Sequence, residues 1–454
     1  MRKKNNGSFG LLLGLVIVIG GALFVYFSSM FERNAPVVTM STSEYWNLKK
    51  PLDIKIEDES GIKSYKITMK SAKESKTLQY EQLITPEKSL SLTVKPPRSA
   101  YTMKEQNIKI IVEANDVSKW NFLEGNSVRK VFTFIIDKKR PQLSIVSNSY
   151  KISRGGSALV IFRAIDKNLK DLYIEGDNGK KFIPQPFYKD GYYISLLAWP
   201  VKADSFKATV VATDLAGNVA KSYIPLYLKN RAYKVSKINI SEKFLQKTAN
   251  LADQFPETQG ETDPLEQFKI LNGAVRTQNE ELIHKLSSVV DKDEKINNFK
   301  INHMHPLKNA ALVARFGDHR KYYYKGDYLS ESYHLGLDLA SNAMAAIKPQ
   351  NSGKVVFADF NGLYGNMPMI SHGLGLYTIY GHCSSIKVNV GDEITKNQII
   401  ANTGTTGYAM GDHLHFGVLV QGIEVRPQEW MDRQWIKLNI TNVIKSAKKI
   451  INRD

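Results

Sequence analysis

From Asn5 to Phe31 the chain carries no charge, and its apolar heart, Phe9 to Phe27, is long enough to cross a bilayer as one helix. Arg2, Lys3 and Lys4 stand before it, which predicts a cytoplasmic N-terminus and an exported remainder. A cleaved signal peptide is the competing reading. The run exceeds the usual apolar segment of such peptides, and no Ala-x-Ala-like site follows it. Residues 1–31 are therefore expected to be a basic stub and a retained transmembrane anchor.

Between Pro36 and Lys229 the pattern changes to short alternating runs with turn signals between them, the period of half-buried strands. The pattern runs twice. Pro36 with Val-Val-Thr after it, Ile54 to Asp58 and Ile62 to Ile67 return as Pro141 with Gln-Leu-Ser, Val160 to Asp166 and Leu169 to Ile174. Ala114-Asn-Asp116, Gly125-Asn126 and Val131 to Ile136 return as Ala212-Thr-Asp214, Gly217-Asn218 and Tyr223 to Leu228. Two tandem β-sandwich domains, 36–138 and 139–230, are predicted.

Helical spacing takes over from Ser241 to about Lys292. Phe244, Leu245, Ala249, Leu251 and Ala252 form one segment, Pro256 interrupts, and Asp263-Pro264 starts another that runs through Leu271 and Ile283 to Val290. Residues 231–300 are read as a helical linker, with a regulatory or dimerising arm as the alternative. Strand periodicity with Gly-rich turns resumes over 301–430. In the tail, 431–454, Ile440, Val443, Ile444, Ala447 and Ile451 recur at helical spacing among Lys437, Lys445, Lys448 and Lys449. This basic amphipathic helix is expected to pack its stripe on its own domain rather than lie on an anionic membrane. The fold class is mainly β.

Composition narrows the partners. Hydrophobic residues make up 43% of the chain and aromatics 10%, as in globular domains. With 62 Lys and Arg against 44 Asp and Glu, the formal charge of +18 favours anionic partners. An exported chain meets acidic lipid or wall polymer, so nucleic acid is excluded. Cys383 is the single cysteine, so the folds hold by core burial and not by an internal disulfide.

The candidate chemistry lies in His334-Leu-Gly-Leu-Asp338 and His413-Leu-His415-Phe416. Read as strands, these put His334, Gly336 and Asp338 on one face and His413 and His415 on one face of another, with Leu335, Leu337, Leu339, Leu414 and Phe416 behind. Gly336 has no side chain to crowd an ion. Eight of the nine histidines fall between His303 and His415. Two imidazoles and one carboxylate with an open fourth position suit catalytic zinc. The spacing is not that of the helical His-Glu-x-x-His arrangement.

A wider set of motifs sharpens this. Phe316-Gly-Asp-His-Arg320, Gly353-Lys-Val355, Ile370-Ser-His372-Gly, Tyr377-Thr-Ile-Tyr380-Gly-His382, Val390-Gly-Asp-Glu-Ile394 and Gly404-Thr-Thr-Gly407 surround the two histidine motifs in order. Together they resemble the lysostaphin-type zinc metallopeptidases, which include LytM-like peptidoglycan endopeptidases. The resemblance implies Zn2+ held by His334, Asp338 and His415, with His382 and His413 as catalytic histidines that are not ligands. We expect His413 to accept a proton from water. His382, placed by alternation on one face with Thr378 and Tyr380, is expected to stabilise the oxyanion or protonate the leaving amine.

The chain departs from the family pattern at Asp412, where Pro usually precedes His-x-His, and at Cys383, where Leu usually follows Tyr-x-His. Asp412 is expected to tune the charge on His413, and Cys383 to be a small core residue. His372 reads as structural. Tyr322, Tyr323, Tyr324, Tyr328 and Tyr333 either line a groove or pack a loop. A latent form, closed by Asn302, His303 or His305 at the open zinc position, is the less favoured alternative, because upstream segments seldom supply ligands.

The sequence thus predicts a membrane-anchored zinc endopeptidase that cuts the peptide cross-links of bacterial peptidoglycan. It is a single-pass protein of the inner membrane with most of the chain periplasmic. The two β-domains resemble bacterial immunoglobulin-like modules and serve as spacers or as docking sites for protein partners. One rival is a LytM-like non-catalytic activator of another wall hydrolase, a class that generally lacks the zinc ligands. A zinc carboxypeptidase trimming stem peptides is a variant of the first reading. A periplasmic adaptor is suggested by the lipoyl-like stretch from Val390 to Ile399, but it predicts coiled-coil heptads that this sequence lacks.

Overall fold

A computed structural model describes residues 7–41, 43–177 and 179–453. The basic stub Arg2, Lys3 and Lys4 lies outside the described residues. Strands dominate, as the alternation predicts. The chain divides into two compact units, one holding residues up to 141 with 166–170 and 213–219, the other 142–165, 171–212 and 220–454.

In the first unit, helix α1 (Gly7–Phe27) is long and apolar enough to cross a membrane, a property that a signal sequence shares. The first β-domain is one six-stranded sheet. Its strand Leu52–Lys70 alternates buried and exposed residues, then breaks register with Ser75–Val94 between Glu57 and Ile62, where Gly61 takes a φ of 109°. Ile54, Ile56, Ile67, Val112 and Phe134 fill its core. The Gly-Asn of the sequence repeat acts as a clamp. Buried Asp116 accepts the backbone N–H of Asn126 at 2.7 Å and its side-chain amide at 2.8 Å, and that amide also donates to the Glu32 carbonyl at 2.9 Å. Asp214, Asn218 and the Asp137 carbonyl repeat the arrangement at 2.7, 2.8 and 2.9 Å. Each clamp ties a strand end to the chain entering its module.

The second β-domain, built of two four-stranded sheets, shares one core with the C-terminal region. Leu159, Phe162 and Trp199 belong to the same buried cluster as Leu414, Phe416 and Trp430. Gln421 Nε2 donates to the Ile183 carbonyl at 3.1 Å, and buried Glu429 accepts the Ser157 N–H at 3.0 Å. A shared core of this kind leaves no loose joint, so this domain is part of the body that carries the site rather than a free spacer.

The linker contains more than helices. Strand β1 (Val235–Asn239) precedes helices α2 (Glu242–Ala252), α3 (Pro264–Ile270) and α4 (Arg276–Ser287), the last two fused through a π-turn at Leu271–Val275. Ser241 caps α2 and Asp263 caps α3, with Pro264 in its first turn, the signals by which the sequence placed them. The C-terminal domain follows with strands β2 (Ala311–Ala314), β3 (His319–Tyr324), β4 (Asp327–Tyr333), β5 (Leu337–Ala340), β6 (Gly353–Phe360), β7 (Asn366–Ser371), β8 (Leu376–Gly381), β9 (Glu393–Ile394), β10 (Leu414–Val420) and β11 (Ile423–Val425). The main sheet runs β2-β5-β10-β8-β7-β6-β9, with β11 against β10. A separate sheet joins β1, β3 and β4, and in it β1 runs parallel to β3. The terminal helix α5 (Asn442–Ile451) buries Val443, Ile444, Ala447 and Ile451. Its stripe is covered within the protein, as expected, but by the second β-domain: α5 packs on strands Gln142–Asn148 and Ser157–Ile165.

An ion pair pins the helical arm to the main sheet. His284 Nε2 on α4 lies 2.8 Å from Glu424 Oε1 on β11, and this hydrogen bond, opposed by burial, raises the His284 pKa. Because the folded value exceeds the unfolded one, the stabilisation is complete below about pH 6.5 and is lost as the pH rises through the folded value. Amide exchange of α4, corrected for intrinsic rate, is expected to accelerate across that window in the wild type and stay flat in His284→Gln. Identical profiles for the two proteins would contradict the pin.

Candidate metal centre

Antiparallel register sets Asp338 on β5 directly opposite His415 on β10, so the two side chains leave the same face as neighbours. Leu337 pairs with Phe416 and Leu339 with Leu414 behind them, all buried. His334 arrives by a route that alternation did not foresee. β4 ends at Tyr333 and β5 begins at Leu337, so His334 sits in the connection, where its Nδ1–H donates to the Arg315 carbonyl at 2.9 Å and its Nε2 turns inward. His334 Nε2 then lies 2.9 Å from Asp338 Oδ1 and 3.2 Å from His415 Nδ1, and His415 Nδ1 lies 3.0 Å from the same oxygen.

Two ring nitrogens facing each other at 3.2 Å attract only with a proton or a cation between them. Tetrahedral ligands on zinc bonds of about 2.1 Å stand roughly 3.4 Å apart, and two nitrogens with one oxygen form a donor set that zinc accepts. The carbonyl behind His334 is the outer partner that fixes the tautomer of a ligating imidazole. These residues fit the ion. Burial works against ionising Asp338, but hydrogen bonds from His334 and His415 outweigh it and hold its carboxyl well below the usual range. Burial lowers the His415 pKa, and Asp338 offsets part of that. An ionised carboxylate set against two imidazoles is what a cation requires.

Gly336 serves a different neighbour from the one the sequence suggested. A Cβ there would meet His415 Nε2 at 2.5 Å, so the glycine makes room for the imidazole that sits beside the carboxylate.

His382 and His413 flank this trio. Strand alternation put His382 on one face with Thr378 and Tyr380, and the structure corrects this. Tyr380 packs on Phe416 on the reverse face of the sheet, with ring centroids 5.6 Å apart. β8 ends at Gly381, and His382 adopts a left-handed backbone, φ 65°, that turns its ring to the metal face. There its centroid is 4.7 Å from that of His413 and 6.0 Å from that of His415. Nδ1–H of His382 donates to the Thr406 carbonyl at 2.9 Å and Nδ1–H of His413 to the Gly411 carbonyl at 2.8 Å, so both present Nε2 to the site. His413 Nε2 is 3.7 Å from Asp338 Oδ1. Burial, aided by the neighbouring imidazoles, depresses the His382 pKa to about 3, so this ring is neutral.

The remaining candidates separate cleanly. His372 is structural, half-buried and held between the Ser352 carbonyl and Thr378 Oγ1 at 2.8 and 2.9 Å, and desolvation lowers its pKa to about 4. Cys383 is a core residue whose Sγ contacts the Tyr380 carbonyl at 3.1 Å, and burial raises its pKa to about 12. Asp412 accepts the Met344 N–H at 3.0 Å and so anchors a loop. Of the five tyrosines only Tyr322 and Tyr333 line the cleft above the trio; Tyr323 and Tyr328 pack on each other. His303 and His305 do not reach the centre. His303 lines a separate recess with Lys396 and Arg433, and His305 is held by Gln350. The cleft measures about 440 Å³, and part of its wall was not foreseen: Ile238, Phe244 and Arg276 come from the linker, where only their packing periodicity is visible in sequence.

Residues 332–427 match the profile of Peptidase family M23. The DD-carboxypeptidase/endopeptidase Mpg of Neisseria meningitidis is 32% identical over 21% of this chain and 22% of its own length. The murein hydrolase activator EnvC of Escherichia coli is 32% identical over 22% of this chain and 23% of its own. Among solved structures, the catalytic domain of lysostaphin from Staphylococcus simulans is 28% identical, covering 27% of this chain and 92% of that one, with a TM-score of 0.23. The chain spans less than half the length of the curated relatives it matches.

Gly336→Ala should displace the His415 ring and weaken zinc binding by roughly 10- to 100-fold, as loss of a ligand's supporting contacts does. Competition titration with a chromophoric chelator reads this directly, and wild-type affinity in the variant would show that the close approach is unimportant.

Proposed function

With residues 332–427 forming a Peptidase family M23 domain, we propose that this protein is a zinc endopeptidase that hydrolyses peptide cross-links of bacterial peptidoglycan. The observation that carries the proposal is the meeting of five side chains in one cleft: His334, Asp338 and His415 with ligand atoms converged, and His382 and His413 beside them with Nε2 exposed to the same space. EnvC is named as an activator, and the presence of the whole set here favours an enzyme over that role.

Zinc at such a trio supplies Lewis acidity, acidifying water and polarising a carbonyl. The rest of the work falls to the chain. His334, Asp338 and His415 would hold the ion at the floor of the cleft. His413 accepts a proton from water at Nε2, its Nδ1–H being committed to Gly411 and the Asp338 carboxylate standing 3.7 Å away. His382 is buried where its cation is disfavoured, so a proton placed on its Nε2 passes on readily, which suits delivery to the leaving amine. The left-handed backbone at His382 holds the ring there and is strain kept for position. Helix α1 anchors the chain in the inner membrane with the cleft on the periplasmic side. The first β-domain stands between anchor and catalytic body in the sequence and is the module open to protein partners.

The test is digestion of purified cross-linked sacculi by the full-length protein in detergent, followed by mass analysis of the muropeptides. Uncross-linked fragments should appear with the wild type, vanish with a zinc chelator, and fall at least about 100-fold in rate in His382→Ala. Intact sacculi in the presence of zinc-loaded wild type would overturn the hydrolase in favour of an activator.

A further inference from the structure

One wall of the cleft lies outside residues 332–427. Phe244 on α2 and Arg276 at the start of α4 line it, and the arm that carries them touches both rims. On one rim Asn279 Oδ1 accepts the Leu363 N–H at 2.8 Å, and Leu251, Leu271 and Val275 pack on Leu363. On the other rim Asn272 Nδ2 donates to Ser330 Oγ at 2.8 Å, and the Phe268 ring meets Tyr322 edge-on at 5.2 Å. A cleft spanned from rim to rim is stopped at that end, so a peptide lying across the metal centre must end or turn there.

Arg276 places a positive charge at this stop. Its Nε donates to Oδ1 of buried Asn272 at 3.1 Å, which fixes the guanidinium plane and leaves both Nη groups unclaimed by that bond. Among the described residues no carboxylate oxygen lies within 4.0 Å of it, although its charge acts on half-buried Glu280, one turn along α4, and partly offsets the rise that burial causes there. Arg320, the other arginine lining the cleft, differs: it is shared between Asp318 at 3.5 Å and Asp338 at 3.9 Å.

We propose that Arg276 is a carboxylate anchor, the specificity-determining group that binds a free substrate carboxylate at the closed end of the cleft. The proposal rests on the peptidase reading above. A planar guanidinium pairs with a carboxylate through two parallel hydrogen bonds, and Asn272 is the positioning residue that aims it. At about 440 Å³ the cleft is at the small end of ligand sites, so the carboxylate belongs to a residue at or next to the bond cut. Wall peptides offer two such groups: the terminal carboxylate of an uncross-linked stem, and the carboxylate on the residue whose amine forms the cross-link. The chemistry is shared, and the experiment separates the sources.

Zinc-loaded full-length protein is assayed on two pairs of synthetic peptides. One pair is a stem peptide ending in D-alanyl-D-alanine, as free acid and as carboxamide. The other is a cross-linked dimer with the carboxylate beside the cross-link amide free or amidated. For the wild type, amidation should raise KM roughly 10- to 100-fold in at least one pair, with kcat changed little. Arg276→Gln should erase that difference with zinc content unchanged, and Arg276→Lys should restore part of it. The pair that responds names the source. A wild type indifferent to amidation in both pairs, or a preference that survives Arg276→Gln, overturns the anchor. If no peptide is cut, it is the peptidase reading that fails; dissociation constants of the same peptides, measured by calorimetry on the same three proteins, then decide the anchor by the same comparison.

Discussion

The antiparallel pairing of β5 with β10 puts a carboxylate and an imidazole side by side, and the rest of the site is arranged about that pair. Asp338 opposite His415 is a consequence of register alone: slipping either strand by one residue would send one of the two into the core and bring a leucine to the metal face. Leu337, Leu339, Leu414 and Phe416 resist such a slip because their burial is lost with it. The apolar face therefore specifies the chemistry of the polar one. The core behind it extends without interruption into the second β-domain and α5, which explains why the small sheet that carries the site is embedded in a much larger body.

Two of the four site histidines depend on backbone that departs from the strand pattern. His334 sits between strands and is aimed by the Arg315 carbonyl; His382 is turned by a positive φ just past β8. Alternation put His334, Asp338 and His415 on one face; the structure brings the three together, but His334 reaches the group from a connection and not from a strand, and His382 took its role only from the motif resemblance. The internal repeat was legible because Asp116 with Asn126 and Asp214 with Asn218 make the same clamp in each half, and the clamp needs those residue types. Caps at Ser241 and Asp263 were legible because they are local.

Long-range packing was not legible. Nothing local in the second β-domain announces that Trp199 and Trp430 share a core, or that α5 would cover it. Strand β1 was read as part of a helical linker because its pairing partner, β3, lies far along the chain, and pairing decides a strand of five residues more than propensity does. The same distance hid the arm's part in the cleft: Arg276 looks like an exposed helical residue until the fold brings it to the metal face. The arm is thus held to the main sheet by the His284–Glu424 pair at one place and forms part of the cleft wall at another.

Zinc-edge X-ray absorption on the full-length protein loaded with one equivalent of zinc tests the central claim most directly. Ligation by His334, Asp338 and His415 predicts a first shell of nitrogen and oxygen only, at about 2.0–2.1 Å, with outer-shell scattering from two imidazoles. A sulfur shell near about 2.3 Å, scattering from three imidazoles, or failure to retain the metal at all would contradict it.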